Sequence, residues 1–514
     1  MSPQNPPVKP AAPRPFFPTA WSPAILAAFL LAALLSCRLM SDYDLGFHLR
    51  GGQWIFHHRS FFTHDEYTYT VPNHPYLDIH WFFQVLIFGL YALGGYGLIG
   101  LWNTALVGGL FWVHLNRLRL TGAPEWMALP LFLATLAACE PRFEVRPEIL
   151  SWLFLSITLW VLELRTAKSR DLLFLLPWVH LLWANVEGLF PLGWVAMAAY
   201  ALRSFLQDAA PDRKLILVAA ISIMACGLTP HFLQGLLFPL VQFNELGPSS
   251  FFKQAIGEFQ PSWASRTASF VPPVSLWTYK GFSFFLLFLL LAAPKARKVQ
   301  DLLLALAFFY LSACAIRNIP LFMLAATPFA ASLWKAVPWE KWRKTQTLLL
   351  ARPAAAWITT ALLLAWGVWV ATGGYYRWDK RGESFGIGLD TQKQPVRAAQ
   401  YLVDHQLNGR ILNQLNWGGW LDWRGPQETF IDGRLEVMGE DFYREYLSSY
   451  QGGLAALADK YGAEIIFFSP PLSNWQGELR ANPGWRPVYW DGLIAVYLRA
   501  GYRPDIPALP NNLN

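Results

Sequence analysis

The stretch WSPAILAAFLLAALLSCRLMSDYD, residues 21–44, joins a long apolar run to an acidic end. A bilayer-spanning helix needs about 20 mainly apolar residues, and this run supplies them. A signal peptide would have a small-residue cleavage site after the run, and Ser36-Cys37-Arg38 fits one poorly. We therefore expect an uncleaved first span at about residues 22–39, followed directly by Asp42 and Asp44.

The composition extends this reading to most of the chain. Of the 514 residues 54% are hydrophobic and only 15% are charged, whereas soluble domains carry about 25% charged residues. The net charge of +7 lies in short basic clusters between apolar runs, which indicates membrane topology and not nucleic-acid binding. The four cysteines lie in or beside apolar segments without a CxxC pair, so we expect neither a disulfide framework nor a thiolate zinc site.

Eleven apolar runs are candidate spans, and the basic loops between them alternate. Because Lys and Arg are retained on the cytoplasmic side, this alternation predicts a cytoplasmic N-terminus. If one further stretch, residues 80–95, crossed the membrane, every later loop would lie on the opposite side and the basic loops would no longer be cytoplasmic. We therefore predict a helix at the outer surface there. The predicted spans are about 22–39, 98–116, 126–139, 149–164, 172–186, 190–205, 215–229, 276–294, 301–316, 319–335 and 354–372.

This topology divides the chain into three parts. Residues 1–21 form a Pro-rich cytoplasmic leader, residues 22–372 the transmembrane domain, and residues 373–514 an extracytoplasmic domain. In the last part, segments 409–413, 429–431, 463–469 and 488–498 look like strands, the last as a hairpin, and segments 395–407 and 440–461 look helical. Alternating strands and helices predict a small α/β domain with a partly parallel sheet.

The outer loops hold the unusual polar residues. Asp42 and Asp44 stand where a carboxylate pair is costly unless it is paired or functional. They are either a general base or divalent-cation ligands, or a solvated loop start paired with an arginine such as Arg38. The same loop contains His48, His80 and four more of the ten histidines.

Two later outer loops add arginines. Arg142 and Arg146 alternate with acids that include Glu144, in a pattern that suits either phosphate binding or a self-neutralising network. Arg317 lies between two spans and either snorkels to the interface or binds an anionic headgroup. The other polar residues that we expect along an outward-facing cavity are Asn185, Glu187 and Glu258.

In the C-terminal domain, two segments follow predicted strands at the edge where sites commonly form. They are the loops Asn416–Trp420, which contains Trp417, and Asp432-Gly433-Arg434. There is no GxGxxG motif and no P-loop, so the sequence does not predict nucleotide binding.

In this order, several short segments resemble the GT-C superfamily of membrane glycosyltransferases, and more narrowly a bacterial branch of GT-C-like proteins. That superfamily includes protein O-mannosyltransferases, the aminoarabinose transferases of lipid A and the catalytic subunit of oligosaccharyltransferase. The segments are SDYDLGFHLRGGQWI (41–55), His80-Trp81, RFEVRPEILSWLF (142–154), LLWANVEGLF (181–190), RNIPLF (317–322), NWGGWL (416–421) and FIDGR (430–434).

The resemblance implies a sugar transferred from a polyprenyl-phosphate-linked donor to a lipid or glycan acceptor, at the outer face of a bacterial cytoplasmic membrane. It makes Asp44 the catalytic carboxylate, with Asp42 beside it and Glu140 or Glu144 as a second acid. Mg²⁺ or Mn²⁺ is an expected cofactor only if Asp42 and Asp44 hold a metal. The expected substrate-binding residues are His48, His80, Arg142, Arg146, Asn185, Glu187, Glu258, Arg317, Trp417, Asp432 and Arg434.

Two other hypotheses remain open. The chain could keep the fold without the chemistry, as a non-catalytic binding protein in envelope polysaccharide or glycolipid assembly. A transporter is the weakest of the three, because charged residues are scarce within the spans and no inverted repeat is visible.

Overall fold

The computed structural model of the chain describes residues 22–207, 210–245, 250–264, 271–337, 353–470 and 474–510. Up to Trp378 these residues are mainly helical, with a long loop between α2 and α3 at residues 59–80. The helices in that part are α1 (Ser22–Ser36), α2 (Leu45–His58), α3 (Trp81–Leu120), α4 (Glu125–Cys139), α5 (Pro147–Thr166), α6 (Leu176–Ala184), α7 (Pro191–Gln207), α8 (Arg213–Ala225), α9 (Phe232–Glu245), α10 (Phe251–Ala255), α11 (Pro273–Ala292), α12 (Val299–Cys314), α13 (Ile319–Ala336), α14 (Pro353–Ala371) and α15 (Gly374–Trp378).

The chain is a polytopic helical membrane protein. All eleven predicted spans coincide with helices, and five helices within the described ranges are long and apolar enough to cross a bilayer: α3, α5, α11, α13 and α14. The other six predicted spans lie on shorter helices, so the count of eleven stays a prediction. The apolar helix at Phe232–Gln242 has no counterpart among the predicted elements.

Helix α3 is two helices joined at a glycine pair. Gly94 and Gly95 have non-helical backbone angles, and the φ of +62° at Gly95 lies in the left-handed region that glycine adopts readily. The predicted division between a helix over residues 80–95 and a span that begins near residue 98 is therefore present in the backbone. In the first half, Phe83 and Ile87 share a buried apolar cluster with Leu45 and Leu49 of α2.

The C-terminal domain contains a four-stranded mixed sheet. Its elements are α16 (Val396–Asp404), β1 (Ile411–Asn413), α17 (Leu415–Arg424), α18 (Leu435–Met438), α19 (Glu440–Ser448), α20 (Leu454–Lys460), β2 (Ile465–Phe468), α21 (Trp475–Ala481), β3 (Trp485–Trp490) and β4 (Ala495–Arg499). The strand order is β1-β2-β4-β3, with β1 parallel to β2 and the other pairs antiparallel. The predicted partly parallel sheet and the β3–β4 hairpin are confirmed.

Three local predictions for this domain are wrong. Residues 429–431 are not a strand, because their backbone bonds go elsewhere: the Thr429 amide donates to the Tyr67 carbonyl at 2.9 Å, and the Phe430 amide donates to Asn413 Oδ1 at 2.8 Å. Asn416–Trp420 is not a loop but part of α17. The predicted helix over 440–461 is two helices, because Gly452 and Gly453 take positive φ between α19 and α20.

Glycines let α17 approach the start of α2 without side chains between them. A Cβ placed on Gly46 would lie 1.9 Å from the Gly419 carbonyl oxygen, and one on Gly419 would lie 2.6 Å from the Tyr43 carbonyl oxygen. Both distances are shorter than a van der Waals contact, so neither position has room for a larger residue. The C-terminal domain therefore rests directly on the turn of backbone that contains Asp44.

Candidate functional site

Asp44 stands at the N-terminal cap of α2, but its carboxylate does not cap the helix. The neighbouring Asp42 performs the local backbone role, because its Oδ1 accepts a hydrogen bond from the Asp44 amide at 2.9 Å. The Asp42 side chain is almost fully buried, whereas 28% of the Asp44 side chain is exposed. The two aspartates are therefore not equivalent: Asp42 holds the turn, and Asp44 presents its carboxylate.

Arg146, the residue just before α5, forms ion pairs with several acidic side chains. It donates to both oxygens of Asp42, from Nε at 2.5 Å and from Nη2 at 2.9 Å. The Nη2 atom also lies 3.2 Å from Asp44 Oδ2, and Nε lies 3.3 Å from Glu144 Oε2. One guanidinium thus brings together three of the carboxylates that were predicted to be catalytic.

A second set of ion pairs continues from this cluster. Arg142 donates from Nε to Glu148 at 2.6 Å and from Nη2 to Glu258 at 3.0 Å. Arg317 lies 3.3 Å from Glu258 Oε1 and 3.5 Å from Glu148 Oε2. The three predicted phosphate-binding arginines therefore converge, and every one of them already has a carboxylate partner.

The electrostatic environment shifts the pKa values of these carboxyl groups in different directions. Burial raises the pKa of Asp44 to about 7, Arg146 opposes that rise, and the nearby carboxylate of Asp42 adds to it. Burial also raises the pKa of Glu144. Burial acts in the same direction on Glu258, but Arg317, Arg142 and Arg146 outweigh it and hold the pKa of Glu258 well below its usual value. Asp44 can therefore exchange a proton near neutral pH, whereas Glu258 stays ionised.

The two predicted histidines lie beside this cluster. His48 is buried one helical turn beyond Asp44, and its ring centroid is 5.7 Å from that of His80. Burial lowers the pKa of His48 well below its usual value, and burial together with Arg317 lowers the pKa of His80 to about 4. Both imidazoles are therefore neutral at pH 7 and can offer hydrogen bonds but no positive charge.

Asn185 and Glu187 make hydrogen bonds inside the helical bundle. The Asn185 side chain donates to the Leu181 and Leu228 carbonyls and accepts from Trp81 Nε1 at 3.0 Å. Glu187 accepts from Ser151 Oγ at 2.8 Å. Neither residue makes a hydrogen bond or an ion pair with Arg146 in the described part of the chain, but Glu187 lies close enough to Arg317 for that arginine to lower its pKa, against a larger upward effect of burial. A substrate-binding role for the two residues stays a prediction.

Trp417, Asp432 and Arg434 are buried at the contact between the C-terminal domain and the first loop. The Trp417 ring packs edge-on against Tyr43, with centroids 5.4 Å apart. Arg434 pairs with Asp432, and its Nη2 lies 2.8 Å from Asp65 Oδ1. All three side chains are at most 2% exposed, so these contacts connect the two parts of the protein.

Sequence reasoning did not select two residues that border Asp44 and the arginines. Gly433 lies against Asp44, since a Cβ there would be 2.4 Å from Asp44 Oδ1. Glu148 is the buried partner shared by Arg142 and Arg317. Glu148 could have been found from its place in residues 140–148, where acids and arginines alternate. Nothing local in the sequence indicates that Gly433 contacts Asp44.

The arrangement around Asp42 and Asp44 does not fit a divalent cation. The guanidinium of Arg146 occupies the space between these two carboxylates, and a metal ion there would face a fixed positive charge. Across the described ranges, no group of three or more His, Cys, Asp or Glu side chains is arranged as metal ligands.

No protein-family model and no curated protein sequence matches this chain. Solved structures match it at the level of the fold. The apo oligosaccharyltransferase of Archaeoglobus fulgidus aligns with a TM-score of 0.60 and 13% identity, over 95% of this chain and 75% of that one. The same enzyme tethered to an acceptor peptide with the NVT sequon gives 0.56 and 13%, over 95% and 74%. ArnT of Cupriavidus metallidurans in the apo state gives 0.50 and 12%, over 92% and 96%.

These neighbours define the class: the chain has the fold of the GT-C membrane glycosyltransferases. The resemblance that the short segments indicated is thereby confirmed for the architecture. At 12–13% identity the alignments carry the fold alone, so the chemistry has to be argued from the residues of this chain.

Proposed function

We propose that this protein is a membrane glycosyltransferase. It transfers a sugar from a polyprenyl-phosphate-linked donor to a lipid or glycan acceptor at the outer face of a bacterial cytoplasmic membrane. The observation that carries the proposal is the Asp44 carboxyl group, with a pKa of about 7, in one cluster with three arginines. A base and a set of phosphate-binding cations are the two things this transfer requires.

In the proposed reaction the acceptor hydroxyl loses its proton to Asp44 while its oxygen bonds to the anomeric carbon of the sugar. The bond between that carbon and the phosphate oxygen breaks, and the lipid phosphate leaves with the electron pair. Arg142, Arg146 and Arg317 stabilise its negative charge, because a guanidinium matches phosphate oxygens in shape and charge. His48 and His80 stay neutral and can hydrogen-bond to sugar hydroxyls.

The placement of the site at the outer face of the membrane is supported by which residues contact each other. The polar residues of the predicted outer loops, among them Asp42, Glu258 and Arg317, form one cluster. Basic residues of the predicted inner loops pair elsewhere, as Arg165 does with Asp212 at 2.7 Å. A cytoplasmic N-terminus and an extracytoplasmic C-terminal domain account for this separation together with the charge of the loops.

Lipid analysis of the purified protein tests the donor. The protein is extracted in mild detergent, and its bound lipids are identified by mass spectrometry. We expect a polyprenyl phosphate, with or without a sugar, to co-purify with wild type and to be depleted in Arg142→Ala/Arg317→Ala. A lipid complement identical in the two preparations would contradict a donor site at these arginines.

The pH dependence of transfer tests the base. Asp44 accepts a proton only when ionised, and with a pKa of about 7 its ionised fraction rises as pH increases. We expect kcat/KM to rise about tenfold between pH 6 and 8, with a midpoint near 7. The measurement is initial transfer rate in buffers of constant ionic strength. A profile that is flat over this interval would show that Asp44 does not titrate in the reaction.

A second candidate, a binding protein without catalysis, draws on a specific observation. Asp42 is fixed to Arg146 by two hydrogen bonds, and all three arginines already have carboxylate partners, as expected of a structural network. On that hypothesis the lipid phosphate would still co-purify, but substitution of Asp44 would leave its binding unchanged and no transfer would be detectable in wild type.

A further inference from the structure

Glu258 is the anion that the three arginines share. Its carboxylate lies 3.0 Å from Arg142 Nη2, 3.3 Å from Arg317 Nη1 and 3.8 Å from Arg146 Nη1. Asp42 and Glu148, which also pair with these arginines, have side chains that are 2% and 5% exposed. Asp44 and Glu144 are 28% and 35% exposed but pair with Arg146 alone among the described residues. Glu258, with 25% of its side chain exposed, combines access from solvent with contacts to all three guanidiniums.

The charges of the cluster leave no room for an additional anion. Five carboxylates make direct ion pairs with three guanidiniums among the described residues: Asp42, Asp44, Glu144, Glu148 and Glu258 with Arg142, Arg146 and Arg317. Even when Asp44 and Glu144 are protonated, the other three carboxylates equal the three guanidiniums in number, so the arginines have no excess positive charge for a phosphate. A phosphate that binds there therefore competes with a carboxylate.

Glu258 belongs to a segment that is attached to two different parts of the protein. On one side the Ile316 amide donates to the Gln260 carbonyl at 3.0 Å, and Arg317 lies over the Phe259 ring at 5.2 Å. On the other side Phe252 stacks on Tyr443 of α19, with centroids 5.8 Å apart. Asp42 and Glu148, by contrast, are almost fully buried, before α2 and in the first turn of α5. A displacement of Glu258 consequently shifts one short segment. It also breaks or strains the bonds that hold this segment to the bundle, from the Ser262 amide to the Ala313 carbonyl and from Ser262 Oγ to the Tyr279 hydroxyl.

We propose that Glu258 occupies the phosphate position of the donor site and is displaced, together with the segment 250–264, when the phosphate of the polyprenyl-linked donor binds. This inference rests on the proposed function, since it assigns the three-arginine site to a lipid phosphate. It makes Glu258 a competitor of the donor and the segment 250–264 the element that moves on binding.

The displacement occurs by movement and not by neutralisation. The three arginines hold the pKa of Glu258 well below its usual value, so the side chain stays ionised at neutral and mildly acidic pH. Lowering the pH towards 5 is therefore not expected to free the site.

Direct binding of farnesyl phosphate, a short and soluble polyprenyl phosphate, tests the inference. The probe is titrated into detergent-solubilised wild type, Glu258→Gln and Glu144→Gln, with farnesol and inorganic phosphate as separate arms. We expect Glu258→Gln to bind farnesyl phosphate about tenfold more tightly than wild type, because the competing charge is gone. Glu144 pairs with Arg146 and, among the described residues, with no other arginine of the cluster. Glu144→Gln should therefore change the affinity less than about threefold.

The outcomes separate the two proposals. If no protein binds farnesyl phosphate more tightly than farnesol, the proposed donor site itself is wrong. If wild type binds but Glu258→Gln binds equally or more weakly, the donor site stands and the displacement is wrong. Inorganic phosphate that binds as tightly as farnesyl phosphate would assign the site to free phosphate and overturn the lipid assignment.

Hydrogen exchange of the wild-type protein provides a measurement that needs no variant. Amides in residues 250–264 should exchange faster when farnesyl phosphate is bound, because the bond from Ile316 to Gln260 and the Glu258 contacts loosen together. Slower exchange of this segment on binding would mean that Glu258 remains in place beside the phosphate, and would overturn the inference.

Discussion

Asp44→Asn is expected to reduce sugar transfer by about 10²–10⁴-fold and to leave the protein folded. The amide is nearly the same size as the carboxylate but cannot accept the proton of the acceptor. The substitution also spares the surrounding structure, because Asp44 does not cap α2 and Arg146 keeps both hydrogen bonds to Asp42. The measurements are the transfer rate and the midpoint of thermal unfolding in detergent.

Asp404→Asn is the matched control for this experiment. Asp404 is an exposed residue of α16 that accepts a hydrogen bond from Gln400, far from the cluster of arginines. The same chemical change there should leave the transfer rate within about twofold of wild type. Full turnover in Asp44→Asn would remove Asp44 from the mechanism, and loss of turnover together with an early unfolding midpoint would show a structural role instead.

Arg434→Leu is expected to loosen the C-terminal domain from the first loop and to cost about 3–5 kcal/mol. Arg434 is the cation between Asp432 and Asp65, and all three side chains are almost completely buried. Leucine fills much of the volume but leaves two buried carboxylates without a counter-ion. Thermal unfolding in detergent measures the loss, and limited proteolysis should find new cleavage between residues 373 and 434.

Arg444→Leu supplies the comparison for this effect. Arg444 pairs with Glu440 one helical turn away in α19, where about half of each side chain is exposed. Exposed ion pairs of this kind contribute about 0.3–0.5 kcal/mol, and the contact of Arg444 with the Phe251 ring adds about 0.5–1 kcal/mol, so the variant should lose much less stability than Arg434→Leu. Equal losses in the two variants would show that burial of the Arg434 pairs is not what fixes the C-terminal domain.

The helical part was predictable because apolar length and the sign of loop charges are local in the sequence. The two parts of α3 illustrate this: loop charges alone separated residues 80–95 from the span after them, and Gly94-Gly95 is where the backbone divides. The number of helices that cross the membrane is less accessible, since several are shorter than a bilayer is thick and helix tilt is set by packing.

Two of the three wrong predictions for the C-terminal domain arise from contacts between distant parts of the chain. The segment 429–431 has a strand-like composition, but it bonds to the first loop at Tyr67, which no local pattern could reveal. The segment 416–420 contains two glycines, which disfavour a helix, yet it is helical. Its glycines are explained by the close contacts with Gly46 and Ile431, which leave no space for a side chain.

The sequence predicted which residues belong to the candidate site better than which ion pairs they form. Asp44, Arg146, Glu258 and Arg317 stood out because charges beside apolar spans are costly unless they are used. That Arg146 lies between Asp42 and Asp44, where a metal had been considered, depends on geometry that spacing along the chain does not encode.

The contact of Gly433 with Asp44 has a consequence for how the protein is made. The two residues lie near opposite ends of the chain, and the ribosome delivers position 433 only after nearly all the helices have been inserted. Domains generally fold as units in the order of synthesis, so the carboxylate emerges early and waits for its neighbour. A nascent chain therefore carries Asp44 without its Gly433 contact while the helices between the two residues are inserted.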